Sequence, residues 1–428
     1  MGNNDITGSL STTAASTVAS CDILPQGTLS VEQAQQRILQ GISAIQHTER
    51  ANLHNALGRI LVNDVTARFD VPPHRNSAMD GYAFASTESI SEQPLKIVGV
   101  SFAGKPYQHA VQAGECIRIM TGAVVPDDCD TVEMQENCQR DADRLTLNST
   151  PKAGAHIRHP GDDMPAGERV LSAGRKLNAA DLGLLASLGI SEVDVIRRPR
   201  VAFCSTGDEL KSIGEPLGVG DIYDSNRYTL HGMLKQLDVE IIDMGVVRDT
   251  PEAVEQAFAS ASQQADVLIT SGGVSVGDAD YVTATLKKLG EVNFWKMAMK
   301  PGKPLAHGRL GDCLFFGLPG NPVSVMATFL LFARPAILKL RGEPLSALPE
   351  YPAISTQALK KAAGRKEYQR GICTQDAHGN WQVTSTGIQE SHMLRSMSQA
   401  NCFIILARET EHVAEGSTVK IMPFAGLL

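Results

Sequence analysis

The run Asp266-Val267-Leu268-Ile269-Thr270-Ser271-Gly272-Gly273-Val274-Ser275-Val276-Gly277-Asp278-Ala279-Asp280 decides how this chain is read. Its first part is short, apolar and β-branched, the pattern of a buried strand. The glycines then let the backbone turn sharply and come close to a ligand. Two serines and two aspartates follow at the carboxyl end of that strand, where an open α/β sheet places what it binds.

Working outward, strand and helix patterns alternate. Val201–Ser205 reads as a strand, Asn226 to Leu237 as a helix, Val239 to Val247 as a strand and Glu252 to Gln264 as a helix. After the opening strand come a helix from Val282 to Leu289, a strand Cys313 to Gly317 and a long helix from Pro322. This alternation predicts a doubly wound parallel sheet with helices on both faces. The strand-end loops Ser205–Glu209, Arg248–Thr250, Ser271–Asp280 and Pro319–Pro322 then share one edge of the sheet, which is itself a site prediction.

The flanks read differently. Ser30 with Gln33 forms a capping-box pattern ahead of a helix running to about His47. Arg59 to Leu147 is a series of short β-like runs between Gly/Pro turns, and Asn178 with Asp181 caps a short apolar helix. Beyond Glu350 the strands shorten again, with a hairpin signal at His378-Gly379-Asn380, as in a small β-barrel. The fold class is therefore α/β and multidomain: a central doubly wound α/β sandwich, a β-rich second domain and a small C-terminal β-barrel.

With 428 residues the chain is too long for a single core, and 43% hydrophobic with 20% charged residues is an ordinary globular composition. A formal charge of -8 argues against a nucleic-acid partner, so an anionic substrate must be drawn in by a local basic cluster. The 8 cysteines include no C-x-x-C pair and suit a reducing cytosol. No uninterrupted apolar stretch reaches membrane-spanning length, the longest (Val323 to Leu340) being broken at Arg334-Pro335. The polar, Ser/Thr-rich start predicts a disordered tail rather than a signal peptide.

Gly273-Val274-Ser275-Val276-Gly277 matches the nucleophile elbow G-x-S-x-G, so a serine hydrolase using Ser275 enters as an alternative. Asp278 and Asp280 suit a cation better than an acyl group, and His307 and His392 lie in no triad context. P-loop and dinucleotide fingerprints are absent from the sequence. His156 and His159 read as a solvated glycine- and proline-rich loop, and Asp80 with Gly81 as a turn. Lys296, Lys300 and Lys303 surround Pro301-Gly302, a stiff irregular segment suited to aiming fixed charge at an anion.

Seven of these segments, in order, closely resemble the MoeA/gephyrin E-domain family of molybdopterin molybdenumtransferases. They are Asn76–Ala83, Ile117–Ala123, Ser205–Leu210, Tyr223–Arg227, Ser271–Asp278, Met299–Pro304 and Leu318–Ser324. The resemblance implies a homodimer whose central domain is of the molybdopterin-binding type. It divides the chain into a tail 1–27, a helix 28–47 packing on the central domain, a linker domain 48–66 plus 167–192, a β-rich domain 67–166, the central domain 193–347 and the barrel 348–428. The implied reaction takes molybdate and adenylylated molybdopterin, hydrolyses the phosphoanhydride and releases metallated cofactor and AMP, assisted by Mg2+ or a similar ion.

Carried over by position, the resemblance puts Asp249 and Asp280 at the metal and phosphates, with Ser275 beside them and Glu209 in the same cleft. The attacking water is oriented by Asp249, Asp280 or Glu209. Lys300 and Lys303 hold phosphate or oxyanion, Lys296 belongs to the same segment, and Arg370 and Ser391 bind molybdate opposite Ser324 and Pro304. Asp80, Thr121 and Asp163 lie in the β-rich domain, which in this family reaches the cleft across the dimer. Implied too are a molybdopterin adenylyltransferase as substrate donor, a cytoplasmic location and no membrane or nucleic-acid partner. The rivals are an adenylyltransferase, which lacks the Asp80 domain and the barrel, and a non-catalytic scaffold.

Overall fold

The computed structural model describes residues 27–86, 93–273, 285–286 and 288–428. Two compact units emerge. One takes the segment up to Ala44 with Arg198–Leu340 and Pro344–Leu428; the other takes Ile45–Arg197 and Arg341–Glu343. The sheet and the barrel therefore belong to one unit.

That unit is built on a seven-stranded sheet in the order Thr28–Leu29, Glu291–Met297, Pro304–Leu310, Cys313–Leu318, Val267–Ser271, Arg200–Thr206, Glu240–Val247. The last four strands run parallel, as the alternation predicts. The sheet is nonetheless mixed, because Pro304–Leu310 pairs antiparallel with both Glu291–Met297 and Cys313–Leu318. The cause is local. Leu310 faces Cys313 across Gly311-Asp312, and Gly311 has φ 61, so a two-residue hairpin turns the chain back on itself. Phe203, Leu268, Ile269, Phe315 and Phe316 are fully buried in the middle of this sheet.

Helices cap themselves where the sequence says they should. Ser30 and Gln33 exchange both capping-box bonds at the head of Val31–Gln40, and Thr250 caps Pro251–Gln264. The long helix expected from Pro322 continues through Pro335 to Leu340. Its middle, Phe329–Ala333, widens into a π-turn in which the Arg334 N–H reaches the Phe329 carbonyl. Pro335 cannot bond the carbonyl of Leu331, and that oxygen instead accepts from Gln35 Nε2 at 2.9 Å. Among the described residues, Pro322–Leu340 is the one helix long and apolar enough to cross a membrane, and 72% of that window is buried inside the protein.

The C-terminal strands close a five-stranded barrel: Lys366–Gln375, Trp381–Ser385, Tyr351–Ser355, Thr418–Pro423 and Cys402–Leu406, the last pairing back to the first. The hairpin at His378–Asn380 falls where the glycine places it, with Gly379 at φ 82.

The second unit contains a six-stranded sheet, Thr131–Met134, Gly81–Phe84, Glu115–Ile119, Leu95–Ser101, Arg144–Leu147, Cys138–Asp141. A separate core gathers Ala51, Ala56, Leu61, Leu171, Leu177, Leu185, Val193 and Val195. Strand Glu192–Ile196 pairs with Thr48–Asn52, so residues 193–196 belong with this core rather than opening the central domain.

Candidate functional site

The carboxyl ends of the parallel strands open into a cavity of about 1020 Å³. Thr206 and Glu209 follow one strand, Asp249 the next, Ser271-Gly272-Gly273 the third and Pro319-Gly320-Asn321 the fourth. Lys300 to Pro304 form another wall, and the barrel contributes Arg365, Glu390, Ser391 and His392. Convergence of these loops is the arrangement expected of strand ends in a doubly wound sheet.

Two glycines permit the close approach. Gly272 has φ +94, and a Cβ there would stand 2.6 Å from the Thr206 carbonyl oxygen. Gly302 has φ +103, and its Cβ would stand 2.7 Å from the Thr328 methyl carbon. The lysine loop is thus seated directly on the Pro322 helix, whose Thr328 hydroxyl donates to the Ser324 carbonyl at 2.7 Å.

The cavity is charged on both sides. Lys300, Lys303 and Arg365 line it, and among the described residues no carboxylate forms an ion pair with any of them. Glu209, Asp224, Asp249 and Glu390 supply the carboxylates. Hydroxyls include those of Ser324, which is buried, and Ser391, along with Thr206, Tyr223, Ser225 and Ser271. The Ser391 carbonyl accepts from the Val323 N–H at 3.1 Å, joining the barrel loop to the first turn of the helix. Among the described residues no three His, Cys, Asp or Glu side chains gather as a metal cluster.

Of the residues singled out from sequence, the cavity brings together Glu209, Asp249, Lys300, Lys303, Pro304, Ser324 and Ser391. Ser275 and Asp280 lie outside the described residues. Lys296 stands exposed on its strand, opposite Thr28 and Pro304, and does not line the cavity. Arg370 is only 1% exposed and is not in the wall either. Its guanidinium donates to Ser396 Oγ at 3.0 Å and to the carbonyls of Ile388, Gln389 and Glu390 at 3.2, 3.2 and 3.0 Å. Burial lowers its pKa to about 10. The Gln389 side chain completes the clamp, accepting from the Arg370 N–H and donating to its carbonyl. Arg370 therefore holds the loop that leads into Ser391.

Asp80, Thr121 and Asp163 lie in the second unit. Asp80 Oδ1 accepts from both the backbone N–H and the hydroxyl of Thr121, each at 2.7 Å, and these two bonds hold its pKa below the usual carboxylate range. The pair is exposed, so its carboxylate is ionised and solvent-facing. His307 is unsuited to act as a base: its ring lies between Trp295 and Phe316, Nδ1 bonds the Phe315 carbonyl at 2.9 Å, and burial lowers its pKa to about 4.

Arg365, Asp224 and Asn226 are wall residues that sequence reasoning passed over. Arg365 follows Gly364 in a basic turn before strand Lys366–Gln375, and that turn is its one signal in the sequence. Asp224 and Asn226 sit inside a quoted segment where Asp224 reads as no more than a helix cap.

Three family models match in succession: the MoeA N-terminal region (domains I and II) at residues 29–189, a probable molybdopterin binding domain at 202–339, and the MoeA C-terminal region (domain IV) at 352–424. A molybdopterin molybdenumtransferase of Haemophilus influenzae is 44% identical over 94% of this chain and 100% of the relative. This chain belongs to the MoeA family. A second relative of the same name, from Nostoc, is 37% identical over 88% of this chain and 89% of its own length. The crystal structure of a MoeA protein from Pyrococcus horikoshii superposes with TM-score 0.78 at 28% identity, covering 93% of this MoeA-family chain and 99% of the other. The models on both sides of the central domain set the chain apart from a lone adenylyltransferase domain.

Proposed function

We propose that the chain is a molybdenum insertase that transfers molybdenum from molybdate into adenylylated molybdopterin and releases AMP. The observation that carries this is the cavity at the carboxyl edge of the sheet, whose wall combines three cations without ion-pair partners among the described residues with serine hydroxyls that include Ser324 and Ser391. Molybdate is a doubly charged tetrahedral oxyanion. Lys300, Lys303 and Arg365 supply charge to it and to the substrate phosphates, while Ser324 and Ser391 give direction through their hydroxyls.

Hydrolysing the phosphoanhydride needs negative charge neutralised at the phosphates and a water held in line. The lysines do the first, and a carboxylate, Asp249 or Glu209, does the second by accepting a proton from that water. The water oxygen bonds one phosphorus as the bridging bond to the other breaks, so AMP leaves as a phosphate monoester; as the two Mo–S bonds form, the two dithiol protons carry off a displaced molybdate oxygen as water. Asp249, with Asp280, is a donor set of the right hardness to hold Mg2+ beside the substrate phosphates, where the ion would supply charge neutralisation. Asp80, Thr121 and Asp163 join the site from a partner copy of the chain in a homodimer. Substrate arrives from a molybdopterin adenylyltransferase in the cytoplasm.

The test is AMP release from adenylylated molybdopterin with and without molybdate. Release that needs molybdate, and that falls at least about tenfold in Asp249→Asn and in Asp280→Asn, supports the reading. Release indifferent to molybdate refutes it. Covalent capture of Ser275 by a fluorophosphonate would bring back the hydrolase.

A further inference from the structure

We infer that Asp224 and Asn226 form a recognition site for the N–H edge of the substrate's pterin ring, an assignment that rests on the cavity being the molybdopterin site. Helix Ser225–Lys235 starts at Asp224, whose Oδ1 accepts from the Arg227 N–H at 3.1 Å. Capping uses one acceptor, and serine or asparagine would serve as well. The second oxygen has no such use. Asp224 is 3% exposed, and Oδ2 has no hydrogen-bond partner among the described residues.

The same imbalance recurs beside it. Asn226 Nδ2 donates to Ser271 Oγ at 2.8 Å and to the Gly320 carbonyl at 2.7 Å, tying the helix to two strand ends. Its Oδ1 is buried without a donor, and so is Thr206 Oγ1. All three residues line the cavity and are at least nine-tenths buried. A buried acceptor without a donor raises the free energy of the fold, and a ligand that brings N–H groups removes that penalty.

The acceptor set selects the ligand. A hard cation gathers several anionic oxygens, and among the described residues no cluster of that kind exists. One carboxylate oxygen, one amide oxygen and one hydroxyl match neighbouring N–H donors instead. A pterin presents such a pair on its pyrimidinone half, the ring N–H and the exocyclic 2-amino group. Its bond to Asp224 would be charge-assisted. A lumazine, with oxygen in place of the amino group, would turn lone pairs toward the carboxylate and be rejected.

Asp224→Asn keeps the helix cap and the shape but turns the second oxygen into a donor; Asp224→Ser keeps the cap and deletes that oxygen. The full-length protein is titrated with a 6-substituted pterin phosphate and with its lumazine counterpart, each followed by its own fluorescence. Wild type should prefer the pterin by about tenfold or more. Both variants should lose that preference and bind the pterin about tenfold more weakly, with the thermal midpoint held by the retained cap. Equal binding of both compounds by wild type overturns the assignment, as does unweakened pterin binding by the variants. If Mg2+ alone binds wild type and not Asp224→Asn, while pterin affinity stays the same, the oxygens belong to a cation and the inference falls. Molybdate-dependent AMP release by wild type, measured in parallel, separates this failure from failure of the insertase reading.

Discussion

Arg370 offers the sharpest test of how the barrel serves the cavity. Replacing it with methionine keeps much of its volume and removes every donor. Four acceptors then lose their partner: Ser396 Oγ and the carbonyls of Ile388, Gln389 and Glu390. Charge-assisted bonds of this kind contribute about 1.5–3 kcal/mol each before solvent is considered. Ile388 is well exposed, so water replaces part of the loss, and removing a buried charge recovers its desolvation cost. A net destabilisation of about 3 kcal/mol remains, roughly a 150-fold change in an opening equilibrium. Hydrogen exchange in the pairing of Lys366–Gln375 with Cys402–Leu406 should speed up by about that factor. The molybdate concentration needed for half-maximal AMP release should also rise, because the loop entering Ser391 is no longer fixed. Arg365→Gln is the counterpart: exposed and in the wall, it should raise the molybdate requirement about tenfold with exchange unchanged. If Arg370→Met raises the molybdate requirement without altering exchange, Arg370 acts on the anion itself and the clamp reasoning is wrong.

Gly302→Ala should destabilise by about 1–3 kcal/mol and weaken oxyanion use, since its methyl meets the Thr328 methyl at 2.7 Å; adding Thr328→Ser should restore part of both, and no rescue would point to the positive φ alone. Lys303→Gln should raise the molybdate requirement while Lys296→Gln leaves it unchanged, and equal effects would argue that Lys296 turns into the cavity. His307 has its folded pKa lowered by burial from 6.5 to about 4, so the stability tied to its neutral form is complete above pH 6.5 and is lost as pH falls through about 4. The difference is about 3 kcal/mol, and urea midpoints of His307→Phe should fall less steeply than wild type across that window. An identical slope would assign acid sensitivity to other groups.

Much of this was open to reading before any coordinates. Ser30 and Asn178 cap their helices through contacts only three residues long, and the parallel strands are runs of buried aliphatics. Such signals are local, and local patterns survive in sequence. The antiparallel edge was missed because Gly311-Asp312 is a brief turn between strands whose apolar runs look the same in either direction. Arg370 and Arg365 could not be ranked from sequence. Both are arginines near a barrel strand, and only the packing decides that one is walled in by carbonyls while the other faces the cavity. Asp224 shows the same limit, since a cap with one oxygen in use and a cap with one to spare are spelled alike.

The bond from Gln35 to the Leu331 carbonyl spans 296 residues of sequence and mends the helix at its proline. Chain order gives it a meaning for synthesis. The segment that repairs the helix leaves the ribosome long before the helix exists, and the whole of Ile45–Arg197 is made between them. That second unit, lacking only Arg341–Glu343, has its core complete while the first still waits for its partner strands. Strand Thr28–Leu29 must then find Glu291–Met297 after a whole domain has been made between them in the chain, the slow, nonlocal closure that makes a nascent chain depend on protection.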